Sequence, residues 1–311
     1  MQKIDKIVIV CHKGILWLTQ ICIASIRYWY PDRDIYIVKD LYGGNFDTSE
    51  LERYWNVKEL VIEDKKYGSS LSKLGLYVLK EKQKILALDA DILFVGEVMD
   101  VLDSSESEFV VNADDYESPG SDWFSEMYYN YDKLKHVDPD FIFPKYAFNG
   151  GQIVLTSGLL SKSDFEPFVE WNGIPCMAKK YGDMFFFEQG LLNYLLPKYE
   201  SIGRFSMSRL KFMLWSNHDE TKEIDLRGIK NKKSIPYMIH WAGTVRPNIS
   251  EMTRSDIVSF YQKFYYSRIP FGGVRRVAFN VWRELRYGRA TRSLKRCFPQ
   301  GVLKLLKKIG C

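Results

Sequence analysis

Short apolar runs alternate with longer segments of helical periodicity through the first third of the chain. Residues 7–11, 35–38, 59–62 and 84–88 predict strands, and residues 16–29, 49–55 and 71–79 between them predict helices. Strands covered on both faces read as continuous aliphatic stretches, and helices that cross between them imply parallel pairing. The expected fold class is therefore α/β, a mostly parallel central sheet flanked by helices. In such sheets ligands collect outside the carboxyl ends of the strands.

The fourth strand runs into the segment ILALDADILF, residues 85–94, where two carboxylates interrupt the apolar run. With a side-chain period of two, Asp89 and Asp91 are expected on the same side at the end of a buried strand, where they could grip one hard cation. Ala90 between them leaves room for a bulky ligand, and the flanking aliphatics exclude water. That combination suits a divalent metal bound to a diphosphate. The plainer reading of the same residues is a strand followed by an acidic turn.

Further along, a strand at 109–112 runs into Ala113, Asp114 and Asp115. The long stretch 116–145, rich in Tyr, Asp, Ser and Pro, is expected to be an insertion or lid over the site. FNGGQIVLTS, residues 148–157, places an Asn and two glycines before a β-rich run. The glycines permit either a close approach of backbone to ligand or a tight turn. Residues 164–171 predict a helix, residues 188–196 another with Glu188 and Gln189 in its first turn, and 235–239 a short strand that presents His240.

Charge changes the picture at the carboxyl-terminal end. The chain carries a net charge of +5, but residues 268–311 hold twelve Lys or Arg against the single acid Glu284, leaving 32 basic and 38 acidic residues elsewhere. Residues 274–285 repeat Val, Ala, Trp and Leu at helical spacing among Arg275, Arg276, Arg283 and Arg286, and 302–309 repeat the pattern with lysines. A basic amphipathic tail on an acidic body suggests an anionic membrane surface as partner. Nucleic acid is disfavoured because no binding module accompanies the charge, and the alternative for the helices is packing on the body. Five scattered cysteines, Cys11, Cys22, Cys176, Cys297 and Cys311, lack zinc or disulfide spacing and fit a reducing compartment. With no secretory signal pattern and no membrane-spanning apolar run, the expected location is cytoplasmic, peripheral on the inner face of a membrane.

Taken together, LDADILF, FNGG, EQGLLNYLL and HWAGTVRP resemble, in order and approximate spacing over residues 4–247, the GT-A glycosyltransferases, and glycosyltransferase family 8 most closely. The resemblance implies a GT-A catalytic domain over 1–267 and a basic helical tail over 268–311. It implies a metal site of Asp89, Asp91 and His240, in which the late pattern retains Gly243 and Pro247 and has Arg246 where Lys is usual. Asn149, Gly150 and Gly151 stand for the family's Asn-Ala-Gly, and Glu188 with Gln189 for its Asp-Gln pair. Lys73 takes the place of an Arg that reaches the nucleotide sugar, and Asp114 that of an acid facing the sugar. Cys11, His12 and Lys13 would lie by the nucleobase, and Ala90 within the donor site.

Two carboxylates and one neutral imidazole form a mixed oxygen and nitrogen set suited to Mn²⁺, with Mg²⁺ second. The function this resemblance implies is transfer of a hexose from a nucleotide-sugar donor, a UDP-sugar, to a glycan or lipid-linked acceptor in surface polysaccharide synthesis. Retention of the anomeric configuration is expected, with Gln189 and Asp114 positioning the donor sugar. An inverting path would need a carboxylate base, for which Asp114, Asp183 or Glu188 could serve. Two other classes remain. An Asp-x-Asp after an apolar strand also opens the site of haloacid-dehalogenase-type phosphatases, although Leu93 stands where Thr or Val is usual and the motif falls on the fourth strand. A catalytically idle nucleotide-sugar-binding protein is the other.

Overall fold

Strands β1 (Lys6–Cys11), β2 (Ile35–Lys39), β3 (Val57–Glu59) and β4 (Lys84–Asp89) lie parallel in the order β3-β2-β1-β4. They are joined by α1 (Leu16–Trp29), α2 (Ser49–Trp55) and the short α3 (Leu74–Tyr77), which continues a 3-10 turn at Leu71–Lys73. This computed structural model describes residues 3–41, 43–62, 71–171, 177–178, 184–243 and 248–287. The chain begins in the middle of the sheet, winds to one edge and returns on the other side of β1. The β1–β4 boundary is thus where strand order reverses, and a crevice opens outside the carboxyl ends there. Register places Val10 opposite Asp89, which puts the first aspartate at that crevice.

Beyond it follow β5 (Ile92–Phe94), α4 (Val98–Asp103), β6 (Phe109–Asp115), α5 (Asp122–Met127), α6 (Tyr131–Val137), β7 (Tyr146–Thr156), α7 (Lys162–Phe165), β8 (Val169–Glu170), β9 (Met177–Ala178) and α8 (Phe187–Ser201). The chain then forms β10 (Met207–Arg209), β11 (Met213–Trp215), α9 (Leu226–Lys230), β12 (Met238–His240), α10 (Ser255–Ser267) and α11 (Gly272–Tyr287). The main sheet runs β10-β6-β7-β4-β1-β2-β3 and is mainly parallel, with β7 antiparallel to both neighbours. That reversal matters for the site: the first half of β7, which carries residues 149–151, comes to lie beside the end of β4.

Successive strand residues feed two cores. Ile7, Ile9, Leu86, Leu88 and Val154 face α1, α10 and a small sheet, whereas Val8, Val10, Ile85, Ala87, Ile153 and Leu155 face α3, α8 and the 116–145 segment. The small sheet, β11-β12-β5, takes β5 out of the main layer and pairs it antiparallel with β12. On β5, the Phe94 amide donates to the Ser25 hydroxyl at 3.0 Å and its carbonyl accepts from the Tyr261 hydroxyl at 2.7 Å, so this edge is closed by side chains.

The structure departs from the sequence expectations in several places and adds detail to the 116–145 stretch. The third strand is β3, starting at Val57: Asn56 ends α2 in the left-handed conformation, and the buried Arg27 guanidinium binds the carbonyls of Trp55 and Asn56, leaving no room for a longer loop. The helix expected over 164–171 stops at Phe165, because the Trp171 indole returns to the Lys162 carbonyl and Val169–Glu170 pairs as strand with Met177–Ala178. The strand before His240 starts at Met238 and includes His240 itself. The 116–145 stretch contains α5 and α6, and its Tyr128 and Tyr129 run against the start of α8 through the Phe186 amide, which donates to the Tyr128 carbonyl at 2.7 Å, and a Tyr129–Phe185 bridge.

That last contact depends on Gly190, where an added Cβ would lie 1.9 Å from the Tyr128 carbonyl oxygen. Gly190→Ala is expected to destabilise the protein by at least about 2 kcal/mol in denaturant unfolding. Gly273→Ala, where a Cβ meets nothing within 4 Å, should shift stability by less than about 1 kcal/mol, since alanine is the better helix former.

Candidate active site

Asp89 ends β4, and Ala90 and Asp91 form the turn into β5. The two carboxylates therefore converge through a turn between two sheets and not by strand alternation, which is the correction the structure makes to the simplest reading of the motif. Ala90 is fully buried at the turn. Pairing of β5 with β12 sets His240 opposite Ile92, and the Trp241 amide donates to the Asp91 carbonyl at 3.0 Å. The result is a cluster in which ligand atoms of Asp89, Asp91 and His240 all lie within 4.8 Å of one another, with His240 Nε2 3.3 Å from Asp91 Oδ1.

Gly151 forms the remaining wall. A Cβ there would stand 2.5 Å from His240 Cε1, 2.7 Å from Asn149 Oδ1 and 3.0 Å from Asp89 Oδ2, so only glycine keeps the space between the ligands open. That open cradle and its donor set of two carboxylates and an imidazole fit a divalent cation. Gly150 is less demanding: its Cβ would come 3.2 Å from Gln189 Cβ.

Lys73 sits beside the cluster with almost no exposure, its ammonium donating to Asp89 Oδ1 at 2.6 Å and to the Gly150 carbonyl at 2.7 Å, with Glu188 Oε1 at 3.6 Å. Burial by itself would lower the lysine's pKa, but Asp89, Glu188 and Asp91 more than offset it, and the net shift is upward. The charged form is thus held in place by its partners. Glu188 is buried at the start of α8, pointing at this ammonium.

Gln189 and Asn193, one helical turn apart on α8, grip β7 where its ladder is broken. Between Val111–Ile153 and Ala113–Phe148, four residues of β7 face one of β6. Gln189 Oε1 accepts from Asn149 Nδ2 at 2.9 Å and from the Gly150 amide at 2.8 Å, while its Nε2 donates to the Met127 carbonyl at 2.8 Å. Asn193 donates to the Phe148 carbonyl and accepts from the Phe148 amide, each at 2.8 Å. Asn149 Oδ1 accepts from the Gly151 amide at 2.9 Å. Side-chain amides thus replace sheet hydrogen bonds along the bulge.

The other sequence candidates are placed as follows. Asp114 lies at the end of β6, on the far side of β7 from Asp89; partial burial raises its pKa, with Asp115 adding and His218 opposing. Cys11 turns its thiol into the protein, where it accepts from the Thr19 hydroxyl at 2.8 Å, and burial pushes it up to about 12, so it is a neutral thiol at physiological pH. His12 Nδ1 accepts from the Gly14 amide at 3.1 Å, Lys13 is exposed, and Gly243 is exposed with φ +134°. Arg246 and Asp183 fall outside the described residues. Sequence reasoning missed Asn193, Gly190 and Trp215. Asn193 carried a signal, its i+4 spacing from Gln189; Trp215, stacked on His240, carried none.

The mainly parallel sheet with β7 reversed and an acidic turn at its carboxyl edge has the GT-A fold of the solved structures that it resembles. Solved structures similar to the chain include the bifunctional glycosyltransferase WbbM, with a TM-score of 0.53 and 15% identity over 86% of this chain and 52% of that one. GlyE of Streptococcus pneumoniae TIGR4 gives 0.50 and 12%, over 89% and 63%. The galactosyltransferase LgtC, in complex with donor and acceptor sugar analogues, gives 0.51 and 14%, over 87% and 99%. The chain spans about half the length of WbbM and less than two thirds of GlyE. No protein-family model matches the sequence, and no curated protein matches it at significance.

The two glycines differ in what surrounds them. Gly151→Ala should weaken divalent-metal binding by about 100-fold in calorimetry and also lower the thermal unfolding midpoint, since held neighbours must shift; Gly150→Ala should leave the affinity nearly unchanged.

Proposed function

We propose that the protein is a divalent-metal-dependent glycosyltransferase that moves a hexose from a nucleotide-sugar donor, a UDP-sugar, to a glycan or lipid-linked acceptor in surface polysaccharide synthesis. The observation that carries this reading is the convergence of Asp89, Asp91 and His240 at the carboxyl edge of a GT-A sheet, in a cradle that only Gly151 keeps open. Asp89, Asp91 and His240 would hold Mn²⁺ or, second, Mg²⁺. When bound, such an ion stabilises the charge that grows on a departing diphosphate.

The chain's own residues do the rest. Lys73, buried and charged, adds positive potential beside the leaving group and fixes the Asp89 carboxylate. Gln189 shapes the floor by holding residues 149 and 150, and its Nε2 has one N–H beyond the bond to Met127 to offer a sugar hydroxyl. Glu188, paired with Lys73, is poorly placed to act as a free base. Retention, with no strong protein base, is the favoured course. Asp114, with its raised pKa, is the alternative base of an inverting path.

A thermal-shift screen of nucleotide sugars with and without Mn²⁺ should give its largest stabilisation for a UDP-hexose with metal. Asp91→Ala should lower metal-dependent donor hydrolysis by at least 100-fold; undiminished turnover would defeat the assignment. The product anomer, read by NMR, should match that of the donor. An inverted anomer together with loss of activity in Asp114→Asn would move the reaction to the inverting class.

The C-terminal helix supports the membrane part of the proposal. No helix among the described residues is long and apolar enough to cross a membrane. Helix α11 instead docks through the opposite side: Arg275 pairs with Glu50 at 2.5 Å, Asn280 with Gln262 at 2.7 Å and Glu284 with Asn248 at 2.6 Å, Arg283 lies 4.0 Å over the Trp17 ring, and Phe279 packs on the core beside it. Val274, Val277, Val281, Trp282 and Leu285, with Phe271 before them, stay exposed. An apolar outer face with the exposed Arg286 at its flank suits the surface of an anionic bilayer, where the protein would be peripheral on the cytoplasmic side. The second basic segment, 302–309, lies outside the described residues. The double variant Val281→Glu, Trp282→Ser should abolish co-sedimentation with vesicles containing phosphatidylglycerol and spare donor hydrolysis in solution; retained vesicle binding would refute this surface.

A further inference from the structure

The second nitrogen of a metal-binding imidazole is ordinarily held by a hydrogen bond that fixes the ring's orientation. His240 departs from this. Its Nδ1 is buried and finds no hydrogen-bond partner among the described residues. The ring is held by packing instead. Trp215 stacks on it, ring centroids 5.3 Å apart and planes 19° from parallel. Gly151 also approaches the ring, so closely that an added Cβ would lie 2.5 Å from Cε1.

The stack follows from the small sheet. Parallel pairing of β11 with β12 sets Trp215 directly beside His240, and residues paired in register project to the same face. The Ser216 amide donates to the His240 carbonyl at 3.0 Å, which locks that register. β11 is in turn fixed to the main sheet by the buried Asn112, whose Oδ1 accepts from the amides of Phe212 and Met213 at 2.9 and 3.0 Å. Rotation of the imidazole about its χ2 axis would break the near-parallel stack on Trp215, so the stack favours the orientation in which Nε2 faces Asp91.

We propose that Trp215 is a positioning residue that, with Gly151, takes over the work of the missing Nδ1 hydrogen bond and aims His240 Nε2 at a divalent cation shared with Asp89 and Asp91. The inference rests on the metal-site reading above and adds a residue that no motif marks. It gives Trp215 no contact with donor or acceptor. Its effect is on the ligand's orientation, and therefore on metal affinity before any turnover.

Two measurements on the full chain test it. The first needs no metal. The protein has only four histidines, so the His240 ring proton resonances can be assigned by comparison with His240→Ala, and indole ring current should displace them upfield. The displacement should persist, reduced, in Trp215→Phe and vanish in Trp215→Leu. The second titrates Mn²⁺ and reads free ion by electron paramagnetic resonance: Trp215→Leu should weaken binding by about 10- to 100-fold, and Trp215→Phe should keep most of the affinity. If Trp215→Leu does not melt cooperatively, Trp215→Met serves the same comparison. An undisplaced His240 resonance in the wild type, or full Mn²⁺ affinity in the unstacked variant while Asp91→Ala loses it, would overturn the role of Trp215 and leave the metal site standing. A wild type that shows the stack but binds no Mn²⁺ would overturn both.

Discussion

One buried ammonium holds this site together. Asp89, Asp91 and Glu188 gather at the edge of an apolar core, and removing a charge from water costs several kcal/mol unless partners surround it. Lys73 supplies that partner at 2.6 Å from Asp89 and 3.6 Å from Glu188, and its third contact, the Gly150 carbonyl, ties the charge pair to the backbone of β7. The 3-10 turn before α3, the end of β4, the β7 bulge and the start of α8 thus meet at one nitrogen. With the carboxylates ionised, three negative charges face one positive charge, a formal excess of two that a divalent cation would balance. The neutral amides of Asn149, Gln189 and Asn193 shape the floor without adding to that excess.

What was legible in the sequence was local chemistry; what was not was direction. The Asp-x-Asp after an aliphatic run, the Asn and two glycines before a strand, and the acid and amide opening α8 each stand within a few residues, so their types survive any arrangement of the rest. Whether β7 runs parallel or antiparallel leaves no mark on a run such as residues 151–155, yet that choice brings Gly151 to Asp89. A turn after the strand at 84–88 was one of the two readings that the sequence left open; what it did not show was that the segment beyond, β5, leaves the main sheet to pair with β12. The helix expected over 164–171 failed for a related reason. Phe165, Phe168 and Trp171 recur every three residues as a helix face would, but they fill one aromatic core from a chain that folds back on itself.

The tail shows the same limit from the other side. Helical periodicity in 274–285 was plain, and the ordinary use of an apolar stripe is to face the core. Here the stripe faces out, and the opposite side carries the docking through polar partners, Glu50, Gln262 and Asn248, with Phe279 and Arg283 against Trp17. Bonds of this kind orient a helix more sharply than apolar packing does, because each has a direction. A second apolar surface laid against the outer stripe would therefore meet a helix already fixed on the body, and little ordering entropy would be lost on contact.

The same economy of direction explains why the two glycines at the floor are not equivalent. Gly150 faces the Cβ of Gln189 at 3.2 Å, a contact that a shift of a few tenths of an ångström would relieve. Gly151 faces the imidazole and the Asp89 carboxylate, both already held, one by Trp215 and the β12 backbone, the other by Lys73. Where neighbours are pinned from the opposite side, a single methyl group has nowhere to go, and the residue is fixed by the rigidity around it more than by its own conformation. Since Gly151 does not adopt a positive φ, backbone freedom is not what demands glycine here; the demand comes from the space that the three ligands must share.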